Sequence, residues 1–149
     1  MFRDTLGMRL RSAYLRFHRM ANAHFEQFAV SADQFVVLTL LAEEDGVTQR
    51  DLAEQASSDA NTMSEMLARL EKKQLVRRER HPSDGRARCV FLTARGRKTQ
   101  KQLWDSWECQ VRAVDGAFRP GELDVLRGLL VRVPDAVAAA GEATGEAVA

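Results

Sequence analysis

Four candidate binding arginines lie around one short turn in this sequence, two before it and two after it, and their side chains share one chemistry. They are Arg78, Arg80, Arg86 and Arg88. A guanidinium group binds phosphate or carboxylate oxygens through paired hydrogen bonds, so such a cluster favours a polyanionic partner. Residues 69–88 hold eight Lys/Arg against three Asp/Glu, a net +5, whereas residues 42–65 hold seven acids against one Arg, a net −6. These local charges indicate a binding surface that the whole-chain net charge of +1 conceals.

The arginines lie on a predicted β-hairpin. Residues 76–81 and 87–92 form its two expected strands, around a Pro-Ser-Asp-Gly turn in which proline fixes φ and Gly85 is expected to take a positive φ. We expect the Asp84 carboxylate to hold the Arg86 guanidinium through a charge-assisted hydrogen bond. An arginine held in this way is pre-organised to enter a narrow minor groove of DNA.

A helix is predicted just before the hairpin, capped by either Ser58 or Asp59. Its inner face is apolar, and its outer face is hydrogen-bonding near the N-terminus and basic near the C-terminus. The outer face carries the candidate DNA-binding residues Asn61, Thr62, Ser64, Glu65, Arg69 and Lys72. The first four are side chains that read base edges, and the last two are more suited to phosphates. Taken alone, Glu65 also fits a solvated residue.

Two strong helix-start signals precede this helix. Ser31 and Gln34 have the spacing of a capping box, and Thr48 with Asp51 repeats it with an acid in the second position. Two starts so close together predict two short helices joined by a tight corner. Thr48 and Gln49 open the second of them, where backbone amides can meet a phosphate.

Three longer helices flank this segment. Apolar residues three and four apart predict a helix over residues 4–28, another from Thr93 to about Phe118, and a last one that ends before Pro134. The small, weakly patterned tail is expected to fray. The prediction is therefore a mainly α (α+β) fold with a winged helix-turn-helix, whose second helix enters the major groove while the wing lies along the backbone or minor groove.

Several short patterns in the chain match one known family. They are Gln34 and Leu38, Thr48 with Asp51-Leu52-Ala53, Leu67-x-x-Leu70-Glu71, Leu75-Val76-x-Arg78, Asp84-x-Arg86 and Leu92-Thr93-x-x-Gly96. With these residues the chain resembles the MarR family of transcription regulators over about residues 5–133. One position departs from the pattern, because Gln74 stands where similar proteins carry glycine. A left-handed residue there would cost about 1 kcal/mol.

The resemblance implies a homodimeric transcription regulator, more often a repressor than an activator. Residues 1–28 and 94–149 would form a helical dimerisation region, and residues 29–93 the winged helix-turn-helix DNA-binding lobe. The two recognition helices would then meet an inverted-repeat operator whose half-sites are roughly 10 bp apart. A set of side chains supplies more apolar surface than a small winged-helix core needs, which agrees with a dimer: Tyr14, Phe17, Trp104, Trp107 and Leu130.

The resemblance also implies a small aromatic or phenolic ligand that binds in a crevice between the lobes and releases DNA. The candidate lining residues are Tyr14, Phe17, His18, Phe35, Trp104 and Trp107. An aromatic stripe at helical spacing is equally what a core or a dimer interface would show. His18 and His24 fit a pH sensor or a ligand for an acid, and they also fit solvated histidines.

Other chemistries find little support in the sequence. It contains no Ser/His/Asp set, phosphate-binding glycine loop or metal-spaced His/Cys cluster, so we predict neither an enzyme nor a cofactor nor a metal. Cys89 and Cys109 favour inert packing, with redox sensing as an alternative. A winged helix that binds proteins rather than DNA is the other alternative. No apolar run approaches roughly 18 residues and no signal-peptide core is present, so a soluble cytoplasmic, nucleoid-associated protein without a membrane partner is expected.

Overall fold

In a computed structural model, which describes residues 1–148, these residues form six α-helices and one two-stranded antiparallel sheet. The elements are α1 (Leu6–Phe25), α2 (Ala32–Glu43), α3 (Gln49–Gln55), α4 (Ala60–Lys72), β1 (Val76–Arg80), β2 (Arg88–Leu92), α5 (Ala94–Asp115) and α6 (Glu122–Val148). Single 3-10 turns, Phe2–Asp4 and Glu26–Phe28, flank α1. The described residues divide into two compact units, of which the first is Met1–Trp107 and the second begins at Glu108. Within the first, α3, α4 and the hairpin form the predicted winged helix-turn-helix.

The two predicted capping signals are both used, one of them only in part. At α2, Ser31 Oγ accepts a hydrogen bond from the Gln34 amide (3.1 Å), and Gln34 Oε1 accepts one from the Ser31 amide (3.2 Å), which completes the capping box. At α3, Thr48 Oγ1 accepts from the Asp51 amide (3.1 Å) and donates to Asp51 Oδ2 (2.7 Å). The aspartate side chain, one methylene shorter than glutamate, bonds the hydroxyl instead of the Thr48 amide.

A left-handed residue connects the end of α4 to the wing. Gln74 has φ +59°, so the strain expected from a non-glycine residue is tolerated there. Thr93 holds this corner, because its Oγ1 donates to the Gln74 carbonyl (2.7 Å) and its amide donates to the Leu75 carbonyl (3.1 Å). The same Oγ1 accepts from the Gly96 amide (2.9 Å) and thereby caps α5, as predicted. A Cβ at Gly96 would overlap the Leu75 carbonyl oxygen, so the close approach of α5 requires glycine.

The wing is attached to the rest of the unit at its base. Its register pairs Val76 with Leu92, Arg78 with Val90, and Arg80 with Arg88. The residue pair at the base of the wing, Val76 and Leu92, is buried, whereas the pair nearest the tip, Arg80 and Arg88, is exposed. The α2–α3 corner adds a third backbone segment, since the Gly46 amide donates to the Val90 carbonyl and the Val90 amide donates to the Val47 carbonyl, both at 2.9 Å. Both strands are slightly shorter than predicted.

The core of the first unit lies between α2, α3, α4, the wing base and the ends of α1 and α5 that face them. Its fully buried side chains include Phe25, Leu38, Leu41, Leu52, Met63, Leu67, Leu70, Val76, Val90 and Leu103. Only the end of the α1 apolar stripe is covered, because Tyr14 is 59% and Phe17 44% exposed. Trp107 was expected to be surplus apolar surface, which is wrong: it is 4% exposed, with its ring 5.1 Å from that of Phe25.

Three predicted helix ends were wrong. α1 gives way to a 3-10 turn after Phe25, and α5 stops at Asp115, because the Ala117 and Phe118 amides bond three residues back rather than four. The last helix continues through Pro134 to Val148. Proline lacks one donor and disfavours its i−4 hydrogen bond, but the alanine-rich residues that follow have the highest helix propensity. Residue 149, the end of the tail that was expected to fray, lies outside the described residues.

In the second unit, α6 presents a largely exposed apolar surface. Its exposed large apolar residues include Val125, Leu126, Leu129, Leu130, Val131 and Val137. No single helix within residues 1–148 is both long and apolar enough to cross a membrane, and α1 with α2 passes that test only as a pair bent by 81°. The division into a DNA-binding lobe and a dimerisation region stays a prediction.

Candidate nucleic-acid interface

Helix α4 turns a polar face outward along its whole length. Asn61, Thr62, Glu65, Arg69 and Lys72 are exposed, and Ser64 is half-buried. Residues three and four apart share a side of a helix, so most of these side chains form one strip beside the buried Met63, Leu67 and Leu70. Arg69 Nη2 lies 3.9 Å from Glu65 Oε2, both side chains being more than two-thirds exposed. The strip is therefore accessible, and its basic end is its C-terminal end.

Asp59 orders the first turn of α4, and is the cap that the helix uses. Its Oδ1 accepts a hydrogen bond from the Thr62 amide (2.8 Å) and its Oδ2 accepts one from the Thr62 hydroxyl (2.7 Å). The amide bond first, and then the hydroxyl bond, lower the pKa of Asp59. Because the Thr62 hydroxyl gives its proton to Asp59, it faces a partner as an acceptor.

The tip of the wing is braced differently from the prediction. Asp84 Oδ1 accepts from the backbone amide of Arg86 (3.0 Å), so the carboxylate orders the Arg86 backbone rather than its guanidinium. The Ala87 amide donates to the Asp84 carbonyl (3.0 Å) and closes the turn. A turn closed in this way does not require positive φ, and Gly85 lies outside the left-handed region, contrary to the expectation. The Arg86 side chain is exposed and extends from an ordered backbone.

Two arginines face each other near the tip of the wing. Arg80 and Arg88 are directly opposite in the antiparallel register, and both are exposed. Like charges at directly opposed positions destabilise a strand pair. An anion that binds both guanidinium groups would offset this repulsion, so the pair is suited to a phosphate.

Arg78, predicted as part of the same basic surface, is bonded within the chain. Its Nε and Nη2 donate to Glu71 Oε2 (3.2 and 2.8 Å), and its amide donates to Glu71 Oε1 (3.3 Å). The side-chain bonds from Arg78 lower the pKa of Glu71 against the opposing effect of burial. The positive charge of Arg88 also lowers the pKa of Glu71, so the carboxylate at the end of α4 is stabilised by two arginines of the wing.

A cleft of about 860 Å³ lies between the start of α3 and the wing. It brings together five of the predicted site residues, Thr48, Gln49, Asp84, Arg86 and Arg88. Arg50 and Glu54 also line it, and they were missed because they stand in the acidic part of the sequence. Glu71 and Lys73 were missed as site residues as well. Only folding brings Glu71 close to Arg78, and Lys73 close to the Ala29 carbonyl. The predicted residues of α4 do not line this cleft; they form the separate strip described above.

The six candidate ligand-binding residues are all in contact with other aromatic rings in the structure. Phe35 packs on Phe25 (ring centroids 4.4 Å apart) and, more loosely, on Trp104 (6.3 Å). Phe17 packs edge-on against Trp107 (5.8 Å), and Tyr14 lies 5.3 Å from His18. A cleft of about 270 Å³ between α2 and α5 includes only Trp104 of the six, together with Thr39, Ala42, Glu43, Gln100, Lys101 and Asp105.

Both histidines of α1 have polar partners. His18 Nε2 lies 3.2 Å from Asp33 Oδ1, and its Nδ1 lies 3.2 Å from Asn22 Nδ2. His24 Nε2 lies 3.0 Å from Ser106 Oγ. These contacts connect α1 to α2 and α5 within the first unit.

The two cysteines occupy different surroundings. Cys89 is buried on β2, with 6% of its surface exposed, and Cys109 is exposed on α5. Burial of Cys89 agrees with packing, since a reactive thiol needs both access and a stabilised thiolate.

Comparison with known proteins identifies relatives of the winged segment and of the whole fold. Residues 30–87 match the model of the MarR family. The chain is 48% identical over 65 residues to the transcriptional regulator HosA of Escherichia coli O111:H-, which is 44% of this chain and 48% of that protein. It is 32% identical over 118 residues to the HTH-type regulator TtmR of Methylorubrum extorquens, 79% of this chain and 56% of that one. The chain thus spans about half the length of these relatives.

A solved structure of a DNA complex is among those that are similar over most of the chain. It is a mutant of MarR from Escherichia coli complexed with operator DNA, with 26% identity, a TM-score of 0.79, and coverage of 86% of this chain and 92% of that chain. The family model, the named relatives and the shared winged helix-turn-helix agree with one another in assigning the winged segment, residues 30–87, to the MarR family.

Proposed function

We propose that this chain is a transcription regulator that binds double-stranded DNA through α4 and the wing. The observation that carries the proposal is that one compact unit presents an exposed polar strip on α4 and an arginine-rich wing. In a winged helix the second helix of the motif enters the major groove and the wing contacts the backbone or minor groove. The similar MarR mutant was solved with operator DNA, which supports the same mode of binding here.

The contacts divide by chemistry. Asn61, Thr62, Ser64 and Glu65 are proposed to meet base edges, because amide, hydroxyl and carboxylate groups near the start of α4 can read them. Arg69 and Lys72, one and two turns later, are assigned to phosphates, as are the α3 start at Thr48 and Gln49 and the opposed pair Arg80 and Arg88. Arg86 is assigned to the minor groove. Arg78 is assigned to Glu71 rather than to DNA.

The proposed regulator acts as a homodimer. Apolar side chains along α1, such as Tyr14 and Phe17, and along α6, such as Leu129 and Leu130, are more than 40% exposed in the single chain. Exposed large apolar side chains grouped along a helix in this way mark an interaction site. Two-fold pairing of two such chains would direct two copies of α4 at an inverted repeat, with half-sites about one helical turn apart.

Repression, relieved by a small aromatic or phenolic ligand, is the proposed mode of control. The candidates for ligand binding are the aromatic side chains where α1, α2 and α5 meet, namely Tyr14, Phe17, Phe35, Trp104 and Trp107. Their polar neighbours His18 and Asp33 lie at the edge of the same region. A ligand that displaces one of these rings would shift α1 relative to α2, and so would alter the position of the DNA-binding elements.

Fluorescence anisotropy on a duplex of about 24 base pairs, long enough for two half-sites and selected by the wild-type protein from a random library, tests the proposal. We expect tight binding, with an association constant whose logarithm falls linearly with the logarithm of the salt concentration. Arg86→Ala should weaken binding about tenfold, whereas Arg112→Ala, an exposed arginine outside the interface, should not. A wild-type chain that shows no salt-dependent duplex binding would instead be an interaction module, and the proposal would be wrong.

A further inference from the structure

The two lysines at the end of α4 face different surroundings. Lys72 is exposed, whereas the neighbouring Lys73 is half-buried. Lys73 Nζ donates hydrogen bonds to the Ala29 carbonyl (2.5 Å) and to Gln34 Oε1 (3.3 Å), which lie 44 and 39 residues away in the sequence. An ammonium group has three donors, and two of those of Lys73 are used inside the chain. Lys73 therefore connects the end of α4 to another part of the first unit.

Both acceptors belong to the corner between α1 and α2. Ala29 has φ +54° and ends the 3-10 turn that follows α1. Gln34, only 7% exposed, is the capping-box residue of α2. This corner is itself tied to α1, because Asn22 Oδ1 accepts a hydrogen bond from the Ala32 amide (2.7 Å). A continuous set of hydrogen bonds thus runs from α1 through the corner to the end of α4.

We infer that Lys73 is a positioning residue for DNA recognition, an inference that rests on the proposed function. Lys73 fixes the C-terminal end of α4 against the α1–α2 corner and so sets the angle at which the polar strip meets the groove. Helix α4 has only 13 residues, so a displacement at one end tilts the whole strip. Hydrogen bonds from a charged group are stronger than neutral ones. Because the two acceptors lie at defined positions, these bonds, called the Lys73 tie below, also fix the direction of the side chain.

Salt dependence separates positioning from phosphate contact. The probe is the duplex selected by the wild-type protein, and the variants are Lys73→Met and the matched control Lys72→Met. Lys73→Met should weaken binding about tenfold, the effect of losing a charged hydrogen bond, without changing the slope of log affinity against log salt. Lys72→Met should lower the magnitude of that slope by about 0.9, the value for one phosphate contact. Lys73→Arg, which keeps the charge and the donors, should restore most of the affinity.

A second measurement without DNA tests the tie itself. Native-state hydrogen exchange of the amides in residues 30–34 should be faster in Lys73→Met than in the wild type, and unchanged in Lys72→Met. A slope reduced as in Lys72→Met, an unchanged affinity, or an unchanged exchange rate would each overturn the inference. Should Lys73→Met fail to fold, Lys73→Gln keeps a neutral donor and carries the same comparison. If the wild type binds no duplex, the proposed function fails, while the exchange measurement still decides whether the tie exists.

Discussion

The guanidinium of Arg78 on β1 is held by the carboxylate of Glu71 on α4. The Arg78 side chain and its backbone amide both donate to that carboxylate, so side-chain and main-chain bonds join the wing to the last turn of the helix. Both residues are partly shielded, with side-chain exposures of 24% for Arg78 and 40% for Glu71. The pair therefore restricts the orientation of the wing relative to α4. The wing and α4 are the two elements proposed to contact DNA together.

Removal of the Glu71 charge should lower stability modestly. We expect Glu71→Gln to reduce the free energy of unfolding at pH 7 by about 1 kcal/mol, a value discounted because the pair is partly exposed to solvent. Denaturant unfolding followed by circular dichroism measures this change. Glu65→Gln is the matched control, since the Glu65 carboxylate is largely exposed and 3.9 Å from its arginine. Equal effects in the two variants would contradict the assigned role of Glu71.

The same pair should give the protein a pH-dependent stability. The pKa of Glu71 is lowered below its ordinary value of 4.5 when the chain is folded, chiefly by the hydrogen bond from Arg78. The unfolded chain therefore takes up this proton at a higher pH than the folded chain does. The contribution of the pair is present in full above pH 4.5 and is lost as the pH falls below it through the lowered pKa. Unfolding curves at a series of pH values should show a smaller acid-side slope in Glu71→Gln than in the wild type.

A methyl group at Gly96 should be poorly tolerated. The added Cβ would meet the backbone carbonyl of Leu75, which cannot move without disturbing the corner held by Thr93. We expect Gly96→Ala to reduce the free energy of unfolding by about 2 kcal/mol or more, as overpacking does. Gly128→Ala in α6 has open space around its Cβ and should instead stabilise by about 0.5–1 kcal/mol, the helix-propensity gain. Thermal unfolding of the two variants should thus shift in opposite directions.

Glycine at position 74 should stabilise the protein. Gln74 adopts φ +59°, a conformation that glycine reaches without the steric cost of a Cβ, and its side chain is exposed. We expect Gln74→Gly to raise the free energy of unfolding by about 0.5–1 kcal/mol. Gln102→Gly, in the interior of α5, should lower it by about 1 kcal/mol. If both glycines destabilise, the left-handed conformation at Gln74 carries no strain.

A charge on the apolar stripe of α6 should disrupt the proposed dimer. Leu129 is 52% exposed in the single chain, and burying a glutamate at a subunit interface without a partner is strongly unfavourable. Leu129→Glu should therefore convert dimer to monomer in analytical ultracentrifugation. Val131, 74% exposed and on another side of the same helix, supplies the control variant Val131→Glu, which should remain dimeric. A wild-type chain that sediments as a monomer would remove the dimer from the proposal.

Features encoded within a few neighbouring residues were predictable from the sequence. The Ser31–Gln34 capping box and the Thr93 cap depend on side chains and backbone groups about one turn apart, and the hairpin was indicated by the turn residues that follow Pro82. The apolar spacing of α4 likewise predicted its buried and exposed faces. Predictions about helix ends were weaker, because the continuation of α6 past Pro134 depends on the balance between one lost hydrogen bond and the propensity of the residues beyond it.

The sequence by itself determined the elements, their order and the exposed polar and basic residues proposed to meet DNA. Only the tertiary structure decided which basic side chains remain available. Arg78 and Lys73 look like Arg80 and Lys72 in the sequence, yet folding gives the first two internal acceptors. Trp107 was likewise assigned by the fold to the core. The reason is physical: a side chain takes the nearest partner that offsets its desolvation, and for Lys73 that partner is about 40 residues distant in sequence.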